Sequence, residues 1–288
     1  MRHVTTEIES QPAAWRRAAD LLPRLDGLPR PGERVAVVGC GTSWFMAEAY
    51  AVLRERAGQG ETDFFTAASL PAGRNYDRLL AITRSGTTTE VVEALASCRT
   101  RRTTITADAG TPVAEVSDDL VELDFADERS VVQTVFATTT LMLLRASLGE
   151  PVEPVAARAE AELGRPAPDL DVEQYTFLGQ GWVHGLAREA ALKMREAAQL
   201  WTESYPQMEY RHGPIAIAQP GRAVWVLGEP VHGLLDDLAA TGVRVVCDDV
   251  DPVVDLVRVQ RLAVRRAEEL GLDPDRPRHL TRSVVLGS

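Results

Sequence analysis

Thr83-Arg84-Ser85-Gly86-Thr87-Thr88-Thr89-Glu90 stands between an apolar run, Leu79-Leu80-Ala81-Ile82, and a helix-like pattern, Val91-Val92-Glu93-Ala94-Leu95. Five hydroxyl residues surround one glycine where a strand hands over to a helix. Such a junction aims backbone N–H groups and the positive end of a helix dipole at one spot. Hydroxyls add donors without bulk. The guest that fits is a phosphate or another compact anion, bound where ligands of open α/β sheets gather, at the carboxyl end of a strand.

The segments around this loop repeat the strand-then-helix order. Strand-like runs are expected at residues 34–38, 62–66, 79–82, 102–107 and 120–125, and helices at 44–56, 90–97, 113–117 and 131–148. Alternation of this kind predicts a parallel, doubly wound sheet. Residues 163–172, with two prolines and a glycine, read as a linker. The pattern then restarts, with strands at 175–178, 223–227 and 243–247 and helices at 185–203 and 256–270. Val37-Val38-Gly39-Cys40-Gly41 parallels Phe177-Leu178-Gly179-Gln180-Gly181, both being strand, Gly-x-Gly, helix. The expected fold class is therefore α/β: two doubly wound, flavodoxin-like parallel-sheet halves, 1–162 and 173–288. Residues 5–22 read as an outlying helix broken or started by Pro12.

Composition narrows the function. The 288 residues are 45% hydrophobic and 25% charged, enough for one large or two medium cores. Thirty-one basic against 42 acidic residues give a net charge of −11. No basic run suits nucleic acid, so phosphate must be held by local dipoles rather than by an overall field. No apolar run approaches the roughly 20 residues of a membrane span, and the first residues lack the apolar core of a signal peptide. Cys40, Cys98 and Cys247 are widely spaced and odd in number, which predicts reduced thiols and no zinc site. The cytoplasm is the expected location.

The remaining motifs each have a bland alternative. Gly39-Cys40-Gly41-Thr42-Ser43 lacks the third glycine of a dinucleotide fingerprint, Trp44 standing in its place. Thr42 and Ser43 either cap the helix or donate to an anion. Glu189, Lys193 and Glu196 share one helix face, ordinarily a solvated one. Apolar neighbours all round (Ala190, Ala191, Leu192, Met194, Ala197) predict instead a buried helix whose charges need partners. His212, before Gly213-Pro214, reads alone as structural.

Taken together, these motifs resemble the sugar isomerase (SIS) superfamily, and above all its double-domain members: the isomerase half of glucosamine-6-phosphate synthase and amino-sugar-phosphate deaminase/isomerases. The resemblance covers almost the whole chain. Gly39–Ser43 is similar to the family's Gly-x-Gly-Thr-Ser turn. Thr83–Thr88 is similar to its Ser-x-Ser-Gly-x-Thr phosphate loop, with Thr83 for the first Ser. Residues 128–134 sit where the family has a Glu-x-x-Val-Ala-Ser-Thr segment lining the sugar, which places Val131 and Gln133 there. Residues 189–196 resemble Glu-Gly-Ala-Leu-Lys-x-Lys-Glu, residues 211–214 resemble Lys-His-Gly-Pro, and residues 277–284 resemble Pro-Arg-Asn-Leu-Ala-Lys-Ser-Val.

The resemblance implies that Thr42, Ser43, Thr83, Arg84, Ser85 and Thr88 hold a sugar phosphate, with Val131, Gln133 and Glu189 beside it. It implies that Glu196 shuttles a proton between C1 and C2, that Lys193 places or polarises the Glu196 region, and that His212 helps to open the ring from a dimer partner. No metal or redox cofactor is implied. The family's tail lysine, which can form an imine with an open-chain ketose, is Arg282 here; a guanidinium forms no such imine but can stabilise charge. The sequence carries no glutaminase domain and no helix-turn-helix ahead of the first strand, so neither glutamine-derived ammonia nor DNA binding is expected. Aldose–ketose isomerisation, with or without deamination, is the leading expectation. A phosphosugar sensor without turnover is the alternative, and a nucleotide-binding α/β protein is the third.

Overall fold

The computed structural model describes residues 2–287. The chain runs α1 (His3–Leu21), β1 (Val35–Gly39), α2 (Thr42–Arg56), β2 (Thr62–Thr66), β3 (Arg78–Ile82), α3 (Thr89–Ser97), β4 (Arg101–Thr106), β5 (Asp119–Glu122), α4 (Val135–Ser147) and α5 (Glu153–Leu163). It continues through β6 (Gln174–Gly179), α6 (Val183–Ala198), β7 (Trp201–Pro206), α7 (Gln207–Tyr210), β8 (Arg222–Val226), α8 (Leu234–Thr241), β9 (Arg244–Val246) and α9 (Pro252–Glu269). The strands form two sheets, ordered β2-β1-β3-β4-β5 and β7-β6-β8-β9, and every pairing is parallel. In each sheet the strand order reverses beside the first strand, between β1 and β3 and between β6 and β8.

Strand alternation builds the layers. Val35 and Val37 of β1 face an inner core, while Ala36 and Val38 face α3 on the outer side. In the second sheet, Tyr175, Phe177 and Trp225 face inward, while Leu178, Val224 and Val226 pack against α7 and α8. The inner core is continuous: α1, α2, α4, α6 and α9 lie between the two sheets and share one apolar cluster. β1 and β6 are buried along their whole length, as parallel strands covered on both faces must be.

The Gly-x-Gly turns match. Gly41 and Gly181 hold φ of 55° and 58°, in the left-handed region that favours glycine. A Cβ on Gly39 would lie 2.6 Å from the Ser43 carbonyl carbon, and one on Gly179 would lie 2.4 Å from the Val183 oxygen. Both glycines let the first helical turn settle against the strand end.

Several expectations are corrected. The helix expected at 185–203 ends at Ala198, where Gln199 turns left-handed (φ 54°) and its N–H bonds back to the Arg195 and Met194 carbonyls. The chain then reverses into β7, so Glu203 lies on a strand. Nothing in an alanine-rich sequence marks that stop, because the residue in the left-handed position is not glycine. The helix expected from 131 begins at Val135, because the Glu128 carboxylate takes the backbone N–H groups of Thr134 (2.5 Å) and Val135 (2.9 Å) and caps it there. The strand expected at 120–125 stops at Glu122. α2 starts at Thr42, two residues early. Helices α5 and α8 had no counterpart in the reading, and Leu163, given to the linker, ends α5.

α1 is neither broken nor outlying. Pro12 sits inside it and is buried. The Ile8 carbonyl that Pro12 cannot bond is taken by the Gln11 side-chain amide at 3.1 Å. Gln11 also bonds Gln260 of α9 (2.8 Å) and accepts from Thr138 of α4 (2.7 Å). The first turn of α1 is closed from the far end of the chain: Asp275 accepts from the His3 N–H (2.9 Å) and the Val4 N–H (2.8 Å).

Candidate active site

Strands β1 and β3 are neighbours, with Val38 opposite Ala81. The loops that leave them therefore emerge side by side at the point where strand order reverses. Thr42 and Ser43 open α2 there and are buried. Thr83 and Ser85 are buried beside them, with Thr88 half-buried at the α3 N-cap. Gly86 holds φ 63°, and a Cβ on it would strike the Thr111 hydroxyl at 1.9 Å, so the loop's shape depends on glycine. The corresponding turns of the second sheet, 179–183 and 227–233, carry no hydroxyl residue. They border a cavity of about 1090 Å³ lined by Gln180, Trp182, Glu229 and His232. The hydroxyl-rich turns thus belong to the first sheet.

Arg84 does not project into open space. It is 1% exposed and donates to the carbonyls of Ser130 (3.0 Å), Val131 (3.4 Å) and Arg282 (3.1 Å). It ties the phosphate-type loop to the 128–134 segment and to the C-terminal tail. The tail reaches the loop itself: Thr87 donates to Ser283 (2.9 Å) and Thr89 N–H to the Val284 carbonyl (3.2 Å). Arg282 is anchored on the Asp127 carboxylate and the Glu128 carbonyl. Val131 and Gln133 are half-buried, and the Gln133 side-chain oxygen is shielded without a hydrogen-bond partner.

The charged face of α6 turns inward, against the usual outcome for that spacing. Glu189 is fully buried, Lys193 is 1% exposed, and the Glu196 side chain is 19% exposed. The Lys193 ammonium lies 3.4 Å from Glu189, bonds Glu196, and donates to the Thr42 hydroxyl at 3.1 Å. Burial pushes the Glu189 carboxyl up to about 8; the Lys193 charge opposes that shift, and neighbouring Glu196 adds to it. Burial alone would lower Lys193, but the two carboxylates outweigh it and hold the ammonium above its ordinary value. Lys193 is therefore a fixed positive charge that joins a residue of the first half to two carboxylates of the second.

His212 is not part of this cluster within one chain. It is exposed, on the turn after α7, and its side chain makes no hydrogen bond or ion pair among the described residues. The structure thus brings Thr42, Glu189, Lys193 and Glu196 together. Ser43, Thr83, Ser85 and Thr88 line the same strand ends. Arg282 and His212 stand apart from Glu196.

Sequence reasoning missed two supporting groups. Glu128, buried and capping α4, is six residues from the N–H it accepts, beyond the spacing of a local cap. Glu48 of α2 is buried and paired with His184 and Arg188 of α6. Its place inside the otherwise uncharged run Trp44–Leu53 was the one available signal for it.

The strand orders and the paired turns give a two-sheet, parallel α/β fold of the sugar isomerase (SIS) type. No family model matches the chain. Curated relatives include glutamine–fructose-6-phosphate aminotransferase (isomerizing) of Methanothermobacter thermautotrophicus, 28% identical over 88% of this chain and 52% of the relative. That of Sulfurisphaera tokodaii is 25% identical over 93% and 52%. The chain spans about half the length of these relatives. Among solved structures, glucosamine-6-phosphate deaminase from Thermotoga maritima superposes with a TM-score of 0.83 at 23% identity, covering 99% of this chain and 98% of that one. Tagatose-6-phosphate ketose/aldose isomerase from Escherichia coli gives 0.74 at 20%, covering 98% and 96%.

Proposed function

We propose that this chain is a phosphosugar enzyme: an aldose–ketose isomerase, or an amino-sugar-phosphate deaminase/isomerase, acting on a hexose or amino-hexose phosphate. The observation that carries the reading is Lys193, which touches Thr42 of α2, beside the hydroxyl-rich loop, and Glu196 of its own helix. An anion anchor and a carboxylate base are thereby held at fixed separation. The named relatives and structural neighbours act on sugar phosphates of this class, which supports the same assignment.

In this reading Ser43, Thr83, Ser85 and Thr88 hold the phosphate, and the open-chain sugar extends toward α6. The Glu196 carboxylate takes the C2 proton of the aldose, leaving an enediol or enolamine, and returns it to C1. With an amino group on C2, the product is a ketose imine, which water hydrolyses to ketose and ammonia. Lys193 balances the charge of the Glu196 carboxylate. His212 opens the ring from the second copy of a homodimer, since a single chain leaves it exposed and unpaired. The halves divide at residues 163–172, and the enzyme acts without cofactor in the cytoplasm.

Assay of the purified protein on glucosamine 6-phosphate, fructose 6-phosphate and related hexose phosphates tests this. Turnover is expected, and Glu196→Gln should abolish it while leaving phosphosugar binding intact. Binding without isomerisation or ammonia release would favour the sensor. One contact favours that second reading: Arg282, at the family's lysine position, is anchored on Asp127 and Glu128.

A further inference from the structure

Helices α2 and α6 meet face to face between the sheets and run in opposite senses. At one end Thr42 meets Lys193. At the other, Glu48 meets His184 and Arg188. Beside this charged contact Gly185 lies so close to α2 that a Cβ would sit 2.5 Å from the Phe45 carbonyl oxygen and 3.1 Å from the Ala49 nitrogen. Close backbone approach and paired charges therefore coincide at the His184 end of α6.

The charged end is tightly built. His184 Nδ1 and Arg188 each lie 2.6 Å from a separate oxygen of Glu48. The Glu48 side chain is 7% exposed. The Arg188 guanidinium packs against the rings of Trp44 (3.8 Å) and Phe45 (4.4 Å), both on α2. Burial alone would raise the Glu48 carboxyl, but the bond from His184 and the Arg188 charge hold it below the usual carboxylate range. A buried carboxylate with one partner per oxygen fixes both the distance and the rotation of the two helices.

We infer that Glu48 is a positioning residue, which with His184 and Arg188 sets the register of α2 against α6 and so the distance from the phosphate anchor to Glu196. The inference rests on the reading given under Proposed function. The anchor residues Thr42 and Ser43 begin α2, Glu196 lies in the last turn of α6, and the Glu48 contact fixes one helix against the other. A slip there leaves each half intact but misaligns the reacting carbon with its base, and a displacement of about 1 Å can cost on the order of a hundredfold in rate. Glu48 acts through the two helices and touches no reacting atom.

The test uses Glu48→Ala, Glu48→Gln and Arg188→Ala in the full chain, on whichever hexose phosphate the wild type turns over. Glu48→Ala should lower kcat by about tenfold or more. KM and inhibition by inorganic phosphate, which needs only the first-half loop, should stay within about threefold, since binding that is equal in ground and transition states is untouched. Glu48→Gln, which keeps one acceptor, should recover part of the rate. Arg188→Ala, breaking the contact from the other helix, should reproduce the loss, and the double variant should lose little more than either alone. If Glu48→Ala fails to fold, Glu48→Gln and Arg188→Ala carry the same comparison. A lower melting temperature with unchanged kcat would reduce the contact to a stabilising one and overturn the inference, as would weakened inhibition by inorganic phosphate. Turnover by the wild type that is insensitive to all three variants removes this inference alone. A wild type inactive on every phosphosugar removes the proposed function, and this inference with it.

Discussion

Glu189 carries no exposed surface, so its charge would be shut off from bulk solvent. Its carboxyl stays protonated to about pH 8 in the folded protein but ionises near 4.5 when unfolded. Between those values the folded state binds more protons, so stability falls as pH rises through that window. We expect the melting temperature to decline from pH 5 to pH 8. Glu189→Gln, which keeps the shape and cannot ionise, should flatten that decline and be the more stable protein at pH 8. A wild-type curve that rises across the window, or a Gln variant that tracks it, would contradict the assignment. The same neutral carboxyl leaves Lys193 to balance Glu196, so the protonation of one buried acid bears on the charge felt by another.

At the scale of elements, the two strand–turn–helix units lean on glycines that admit no side chain. Gly39→Ala and Gly179→Ala each push a Cβ into backbone at 2.6 Å or less. We expect each to cost about 1–3 kcal/mol in denaturant unfolding, the range for an overpacked contact that must shift backbone; a loss below about 0.5 kcal/mol in either would remove the packing argument. These units were legible in the sequence because glycine spacing and apolar runs are local signals. So were the parallel sheets and the inward face of α6. The stop at Gln199 was not legible, since it comes from a left-handed residue that glycine ordinarily fills, and β7 was lost with it. The start of α4 was missed for a similar reason: its cap, Glu128, reaches over a loop from outside the helix. Val131 and Gln133 thereby moved from a helix to a loop.

For the whole molecule, the exposure of His212 makes one chain an incomplete version of the proposed site. If two copies complete it, Glu196→Gln and His212→Ala variants, each inactive alone, should regain about a quarter of wild-type activity when unfolded and refolded together in equal amounts, since half of random dimers are mixed and one of their two sites is intact. No recovery, or a monomer by sedimentation, would place the whole reaction within one chain. The family motifs did not reveal the anchoring of Arg282 on Asp127 and Glu128, which depends on a tail-to-loop contact whose donor and acceptor are 154 positions apart.

The closure of α1 by Asp275 has a bearing on synthesis. The helix leaves the ribosome well before its partner: the carboxylate that accepts its first N–H groups follows 271 residues after Val4. Its neighbour α9 also comes late. During translation the buried face of α1, with Val4, Ile8 and Trp15, has only α4 and α5 to shelter it. The nascent chain therefore carries an unfinished interior until α9 and Asp275 emerge, which is the interval in which a chaperone would find it.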